Sequence, residues 1–288
     1  LVAIICGTGW SVKVTAAEPN RDNYQQFSGD TIIAIDAAVA NSIEDINVAE
    51  TALRLVESYQ SAGSFGVFVY SGVGNTPVRL EAGSEQSKAE IDLVVSQLME
   101  GYAALPSLQF PALGTMITYL YEIDAPRGSR GFLVTNGKSS NDSAGYRERL
   151  ESFAQAFATE GWELNTVMVP SSSPEHRAFL AKLATISGGL GFDGGTANGL
   201  SEFATVISGN QATGSIESDL VQGSSALGTI DVAPATDRLS VTFVRESSST
   251  DVRLFNPQGA EVNLNRTDVV GIATPNVVIL SVANPIAG

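Results

Sequence analysis

Cysteine and histidine are almost missing from this 288-residue chain, which has one of each, Cys6 and His176. A single cysteine excludes an intramolecular disulfide, and the pair cannot furnish a Cys/His zinc site. Positive charge is scarce as well. Sixteen Lys and Arg stand against 31 Asp and Glu, a formal net charge of −15. Nucleic acid and anionic membrane surfaces both select clustered Lys and Arg, so neither is expected as a partner. No apolar run reaches the roughly 20 residues of a membrane-spanning helix, so no membrane insertion is expected within the chain. Nor is there a Gly-x-Ser-x-Gly elbow to present a serine nucleophile.

What is present suits a folded, well-solvated protein: 43% hydrophobic and 16% charged residues. At roughly 150 residues per domain, the length suggests about two domains. The numbering opens on Leu1 rather than Met, which reads as a fragment of a longer chain. Residues 1–28 are set apart as an N-terminal segment. Leu-Val-Ala-Ile-Ile-Cys-Gly-Thr-Gly-Trp10 reads as the tail of a signal-peptide apolar region, with Val14-Thr15-Ala16 as a small-residue cleavage site. The competing reading is a first strand, and Lys13 inside the segment favours it.

Residues 29–210 alternate short apolar, β-rich runs with helical patterns. Thr31–Ile35 delivers Asp36 at its carboxyl end, Phe65–Tyr70 opens into Ser71-Gly72, and Gly131–Thr135 opens into Asn136-Gly137. Helices are predicted over 46–59 with Asp45 as cap, and over 86–100, 114–121, 143–159, 174–186 and near 197–208. Ser173 caps the fifth of these, with Pro174 at its first position. Such alternation predicts an α/β fold, a doubly wound and mostly parallel sheet with a ligand crevice at the carboxyl ends of its strands. Beyond Gly209 the helices stop. Segments 226–232, 238–244, 251–255, 261–264 and 276–282 read as short strands between turns, including Asn256-Pro-Gln-Gly259. Residues 211–288 are therefore expected to form an antiparallel β-sandwich.

Together these stretches resemble a von Willebrand factor type A (VWA) domain: Ile-Ile-Ala-Ile-Asp36, Val-Phe-Val-Tyr-Ser71-Gly, Leu-Gly114-Thr115, Phe-Leu-Val-Thr-Asn136-Gly, and Leu180-Ala-Lys-Leu-Ala184-Thr-Ile-Ser-Gly-Gly189. The later Val252-Arg-Leu-Phe-Asn-Pro257-Gln-Gly259 and the terminal Ala283-Asn-Pro285-Ile-Ala-Gly288 resemble the β-sandwich that follows this domain in hemicentin-like extracellular proteins. That pattern continues with Trp, so the sandwich is expected to be truncated at its C-terminal end. The family implies a Mg²⁺ site of the form Asp-x-Ser-x-Ser, a Thr from a second loop and an Asp from a third. Mapped by motif, these positions are Asp36, Ala38, Ala40, Thr115 and Asn136. Two hydroxyl ligands and one negative charge are gone, and a methyl group cannot coordinate a hard cation. The site therefore reads as a degenerate metal-ion-dependent adhesion site (MIDAS). Asp36, Ser71, Thr115 and Asn136 would form its rim, with no cofactor and no Mg²⁺. The residues also have local readings: Asp36 capping the next helix, Thr115 as an N-cap after Gly114, Asn136-Gly137 as a plain turn.

Other patterns weigh less. Gly189-Leu-Gly191-Phe-Asp-Gly194 matches a dinucleotide motif but follows a helix instead of a strand. His176 lies in a helix-start turn beside Ser171–Ser173. Glu90 with Asp92, and Glu148 with Glu151, are carboxylate pairs on helix faces. Asn141 and Asn265 head glycosylation sequons. The resulting expectation is a non-enzymatic, secreted or cell-surface module for adhesion or protein binding, with a protein ligand of unstated identity. An alternative is the accessory region of a larger secreted enzyme or channel regulator, as in calcium-activated chloride channel regulators, whose catalytic part lies outside this chain. A sugar-binding sandwich is a third.

Overall fold

The computed structural model describes residues 2–6, 10–16, 29–59, 63–71, 76–81, 84–101, 109–139, 143–207, 213–216, 224–229, 238–245, 251–263, 269–283 and 286. The chain divides into two compact units, Phe27–Gly195 and a second made of Leu1–Gln26 with Thr196–Gly288. In chain order the strands and helices are β1 (Val2–Cys6), β2 (Trp10–Ala16), β3 (Thr31–Asp36), a 3-10 turn (Ala37–Asn41), α1 (Ile43–Tyr59), β4 (Ser64–Tyr70), β5 (Val78–Glu81), α2 (Glu85–Glu100), α3 (Gln109–Glu122), β6 (Arg130–Thr135), α4 (Ala144–Glu160), β7 (Glu163–Met168), α5 (Pro174–Ser187), β8 (Gly191–Asp193) and α6 (Ala197–Ile207). Then follow β9 (Thr213–Ile216), β10 (Ser224–Thr229), β11 (Arg238–Arg245), β12 (Asp251–Phe255), β13 (Glu261–Val262), β14 (Val269–Ala273) and β15 (Val277–Ala283).

Unit Phe27–Gly195 is built on a six-stranded sheet of order β5-β4-β3-β6-β7-β8, parallel except for β5. All six residues of β3 are buried, as an unbroken apolar run covered on both faces requires. On one face Ile32, Ala34, Leu133 and Leu164 share a core with Met116, Leu120, Leu150, Phe157 and Leu183. The alternate residues Ile33, Ile35, Val134 and Val167 are equally buried and point the other way. Helix α3 reaches the sheet closely because Gly66 leaves room for the Tyr119 ring; a Cβ there would lie 2.7 Å from Tyr119 Cζ.

Helix starts follow their capping residues. Ser173 Oγ accepts the His176 N–H at 3.2 Å, Pro174 fills the first turn, and Gly188 ends α5 in the left-handed region at φ 85°. Ser173→Ala is expected to cost about 1 kcal/mol, read as a lower urea midpoint with unchanged slope. Two expected boundaries move. Helix α1 begins at Ile43, and its cap is Ser42, whose Oγ accepts the Asp45 N–H at 3.4 Å; Asp45 is not the cap. Helix α3 begins at Gln109, five residues before the expected Gly114, since Pro111 falls in its first turn, where a missing N–H costs no hydrogen bond.

The second unit holds two antiparallel sheets, β10-β1-β12-β13 and β14-β15-β11-β2-β9. β9 and β14 join the strands expected from the sequence. So do β1 and β2, out of the segment 1–28 that the sequence had set apart; residues 17–28 lie outside the described residues. Helix α6, expected within 29–210, groups with this unit and lies against β2 and β11. Its Leu200, Phe203, Ala204 and Ile207 recur at helical spacing and are buried. The Asn141 and Asn265 sequon positions fall outside the described residues.

Candidate functional site

Strand order reverses at the middle of the parallel sheet. From β3 the chain steps outward to β4 on one side and later returns to β6 on the other. A crevice outside the carboxyl ends of strands at such a reversal is where open α/β sheets bind ligands. The register Ile35 opposite Val134 brings Asp36, at the end of β3, beside Thr135, at the end of β6.

Asp36 is fully buried. Its Oδ1 accepts the Ala38 N–H at 2.8 Å, capping the 3-10 turn, and its Oδ2 accepts the Thr135 hydroxyl at 2.6 Å. Thr135 Oγ1 in turn accepts the Gly137 N–H at 2.9 Å. Asn136 is buried, and its Oδ1 takes the Lys138 N–H at 2.9 Å in an Asx turn. The loops after β3 and β6 are thus knitted from below. Thr135 is the residue that sequence reasoning passed over, because only the register of the two strands shows which neighbour meets Asp36.

A second buried carboxylate, Asp45, ties a third loop. Its oxygens accept the Ser171 N–H at 3.0 Å and the Ser171 hydroxyl, which anchors the β7–α5 loop to α1. From the first turn of α5 the Arg177 guanidinium donates to that loop's carbonyls at Ser172 (3.1 Å), Val169 and Pro170 (both 3.3 Å) and pairs with Asp193 at the end of β8. Asp193 Oδ1 also accepts the Gly195 N–H at 3.0 Å. Around the rim Asn41, Ile43, Lys138, Pro170 and Ser171 are exposed, Ile43 by half its surface. The result is a stiff, mostly neutral edge over two enclosed carboxylates.

Of the expected site residues, Asp36 and Asn136 end adjacent strands. Ser71 directly follows β4, on the other side of β3, and is half-buried. Thr115 does not sit at a loop or cap. It lies half-buried in the interior of α3, and the neighbouring Gly114 faces Phe153 of α4, whose ring is 3.7 Å from the position of a Cβ. His176 packs under the β6 loop, where a Cβ on Gly137 would lie 2.7 Å from its own. The glycine motif 189–194 spans β8. Asp92 and Glu151 pair with Arg54 (2.7 Å) and Lys182 (2.6 Å) on exposed helix faces. Among the described residues, no group of three or more His, Cys, Asp and Glu side chains converges as a metal cluster would.

No family model matches this sequence, and no curated protein matches it. Solved structures with a similar course include an aerotolerance-related membrane protein from Bacteroides fragilis, at 15% identity over 60% of this chain and 94% of that one, TM-score 0.37. The PilB minor pilin of Streptococcus sanguinis is similar at 10% identity over 66% of this chain and 63% of its own, TM-score 0.42. The SpRpn10 VWA domain is similar at 11% identity over 62% of this chain and 95% of its own, TM-score 0.36. Scores this low carry no weight beyond themselves. The α/β assignment stands on the sheet order and its flanking helices.

Proposed function

We propose that this chain is a non-catalytic protein-interaction module of an extracellular or cell-surface protein. In this reading a type A-like domain meets its protein partner at the carboxyl edge of the parallel sheet without a metal ion, and the two antiparallel sheets form a supporting sandwich. The observation that carries it is the state of Asp36, whose two oxygens are already engaged by Ala38 and Thr135.

Mg²⁺ demands octahedral oxygen ligands at roughly 2.1 Å and keeps several waters. Ala38 and Ala40 offer methyl groups, Asn136 brings no charge and spends its Oδ1 on Lys138, and Thr115 sits inside α3. These residues do not fit the ion. What remains is a contact edge made of backbone, small hydroxyls and Ile43, which suits hydrogen bonding around one apolar anchor. The excess of acidic residues suits a solvated surface outside the cell.

Thermal unfolding of the full chain in 5 mM Mg²⁺ or Mn²⁺ is expected to match that in EDTA. A site of 0.1 mM affinity would instead add about 2 kcal/mol and raise the midpoint by several degrees. Beads coated with the full chain are expected to adhere to whole cells equally with and without EDTA, and Ile43→Glu is expected to abolish that adhesion. A metal-dependent midpoint, or adhesion lost in EDTA, would overturn metal independence. Beads that never adhere would overturn the adhesion reading.

A further inference from the structure

The N-terminal strands sit where an appended arm would not. In the sheet β14-β15-β11-β2-β9, β2 lies between β11 and β9, antiparallel to both. Its seven residues each pair with β11, from Trp10 opposite Arg245 to Ala16 opposite Leu239, while Val12 to Thr15 also pair with β9. In the other sheet β1 lies between β10 and β12, and all five of its residues pair on both sides. Neither strand is at an edge.

Their removal would do more than shorten two sheets. Among the described residues, β9 has β2 as its one neighbour in its sheet order and β10 has β1, so each would lose its ladder. Among the described residues, the four-stranded sheet would be reduced to β12 with the two-residue β13, paired through Leu254–Val262 and Phe255–Glu261. An isolated two-stranded pairing of that kind is marginal at best in water. Meanwhile the whole six-stranded sheet with α1 to α5 lies between β2 and β9 in the chain.

We infer that residues 1–26 and 196–288 form one discontinuous folding domain, interrupted by the α/β unit, and that β1 and β2 are its obligate central strands. They are held by strand pairing, so the peptide link to residue 27 is dispensable once the domain has folded. Residues 2–6 and 10–16 accordingly belong to the working protein.

The test uses the full chain with a specific protease site inserted between Asn20 and Arg21, a position outside the described strands. After cleavage, the fragment ending at Asn20 is expected to co-elute with the remainder on size exclusion at micromolar concentration. It should be released by urea together with the loss of amide protection in β11 and β15. Separation of the fragment while the remainder keeps that protection would overturn the inference. Independently, Val12→Pro in the uncut chain removes a ladder N–H from an interior strand. Hydrogen exchange is expected to accelerate at least tenfold across β1, β2, β9, β11 and β15 while β3 and β6 keep their protection. Unchanged exchange would show that β2 is not obligate. Equal acceleration in β3 and β6 would show that the α/β unit is no independent insertion.

Discussion

Asp36→Ala is expected to destabilise the α/β unit by about 3 kcal/mol, a large share of a typical domain's total. The substitution removes the cap of the 3-10 turn and leaves the Ala38 N–H without its acceptor. It also strands the Thr135 hydroxyl in a buried position. Relief of the cost of burying a carboxylate works in the opposite direction. Two donors left unpaired at about 1–3 kcal/mol each outweigh it, since breaking one side of a buried polar pair costs more than the pair is worth. Thr135→Val is expected to cost about 1.5 kcal/mol, because Gly137 N–H loses its acceptor as well. In the double variant the costs should overlap by about 1 kcal/mol. Urea unfolding of all four proteins measures this cycle. Strict additivity, or a loss below 1 kcal/mol for Asp36→Ala, would mean that the carboxylate does not latch the β3 and β6 loops.

The adjoining glycines at the end of α5 should respond very differently to alanine. At Gly189 a Cβ would lie 2.2 Å from the Leu164 carbonyl oxygen and 2.7 Å from its carbon. Leu164 is held in β7 by its pairing with β6, so its backbone cannot easily step aside, and Gly189→Ala is expected to cost more than about 3 kcal/mol and to shift the β7–β8 pairing. Gly188 has open space around it but a φ of +85°, which penalises any side chain through the backbone alone. Its alanine variant should lose only about 1 kcal/mol. Thermal unfolding of the two single variants separates the cases. Equal losses would show that the Leu164 carbonyl relaxes away and that the wall is softer than its geometry.

The Asp45–Ser171 bond bears on the candidate site in the same way as the Asp36–Thr135 bond. The first joins α1 to the β7–α5 loop and the second joins the ends of β3 and β6, across 126 and 99 residues of chain, and both lie beneath the proposed contact edge. Under the proposed binding role, these two latches would leave a partner little to order at that edge. Asp36 and Asp45 are both buried and both hydrogen-bonded. In this geometry they serve as acceptors for loop donors.

Local order was legible from residue pattern. Continuous apolar runs gave β3, β4 and β6, because strands covered on both faces cannot carry alternating polar residues. Ser173-Pro174 marked the start of α5 through capping chemistry that acts within a turn. Asp36 and Asn136 stood out because each follows directly on such a run. The expected start of α3 falls too late because the helix runs back through Pro111, and whether a proline ends a helix depends on which turn it occupies.

What tertiary structure alone decided lies between segments. Trp10–Ala16 carries Ser11, Lys13 and Thr15 between Val12, Val14 and Ala16, an alternation as consistent with a strand as its apolar lead-in is with a leader. Only pairing with β11, more than two hundred positions away, makes it the interior of a sheet. The same holds for α6 on its β2–β11 surface, for Thr135 beneath Asp36, and for the carbonyl wall at Gly189. Periodicity and caps are properties of a few neighbouring residues, so the chain encodes them directly. Register and partnership are settled by competition among many possible packings, and the winner is visible only when the whole core has closed.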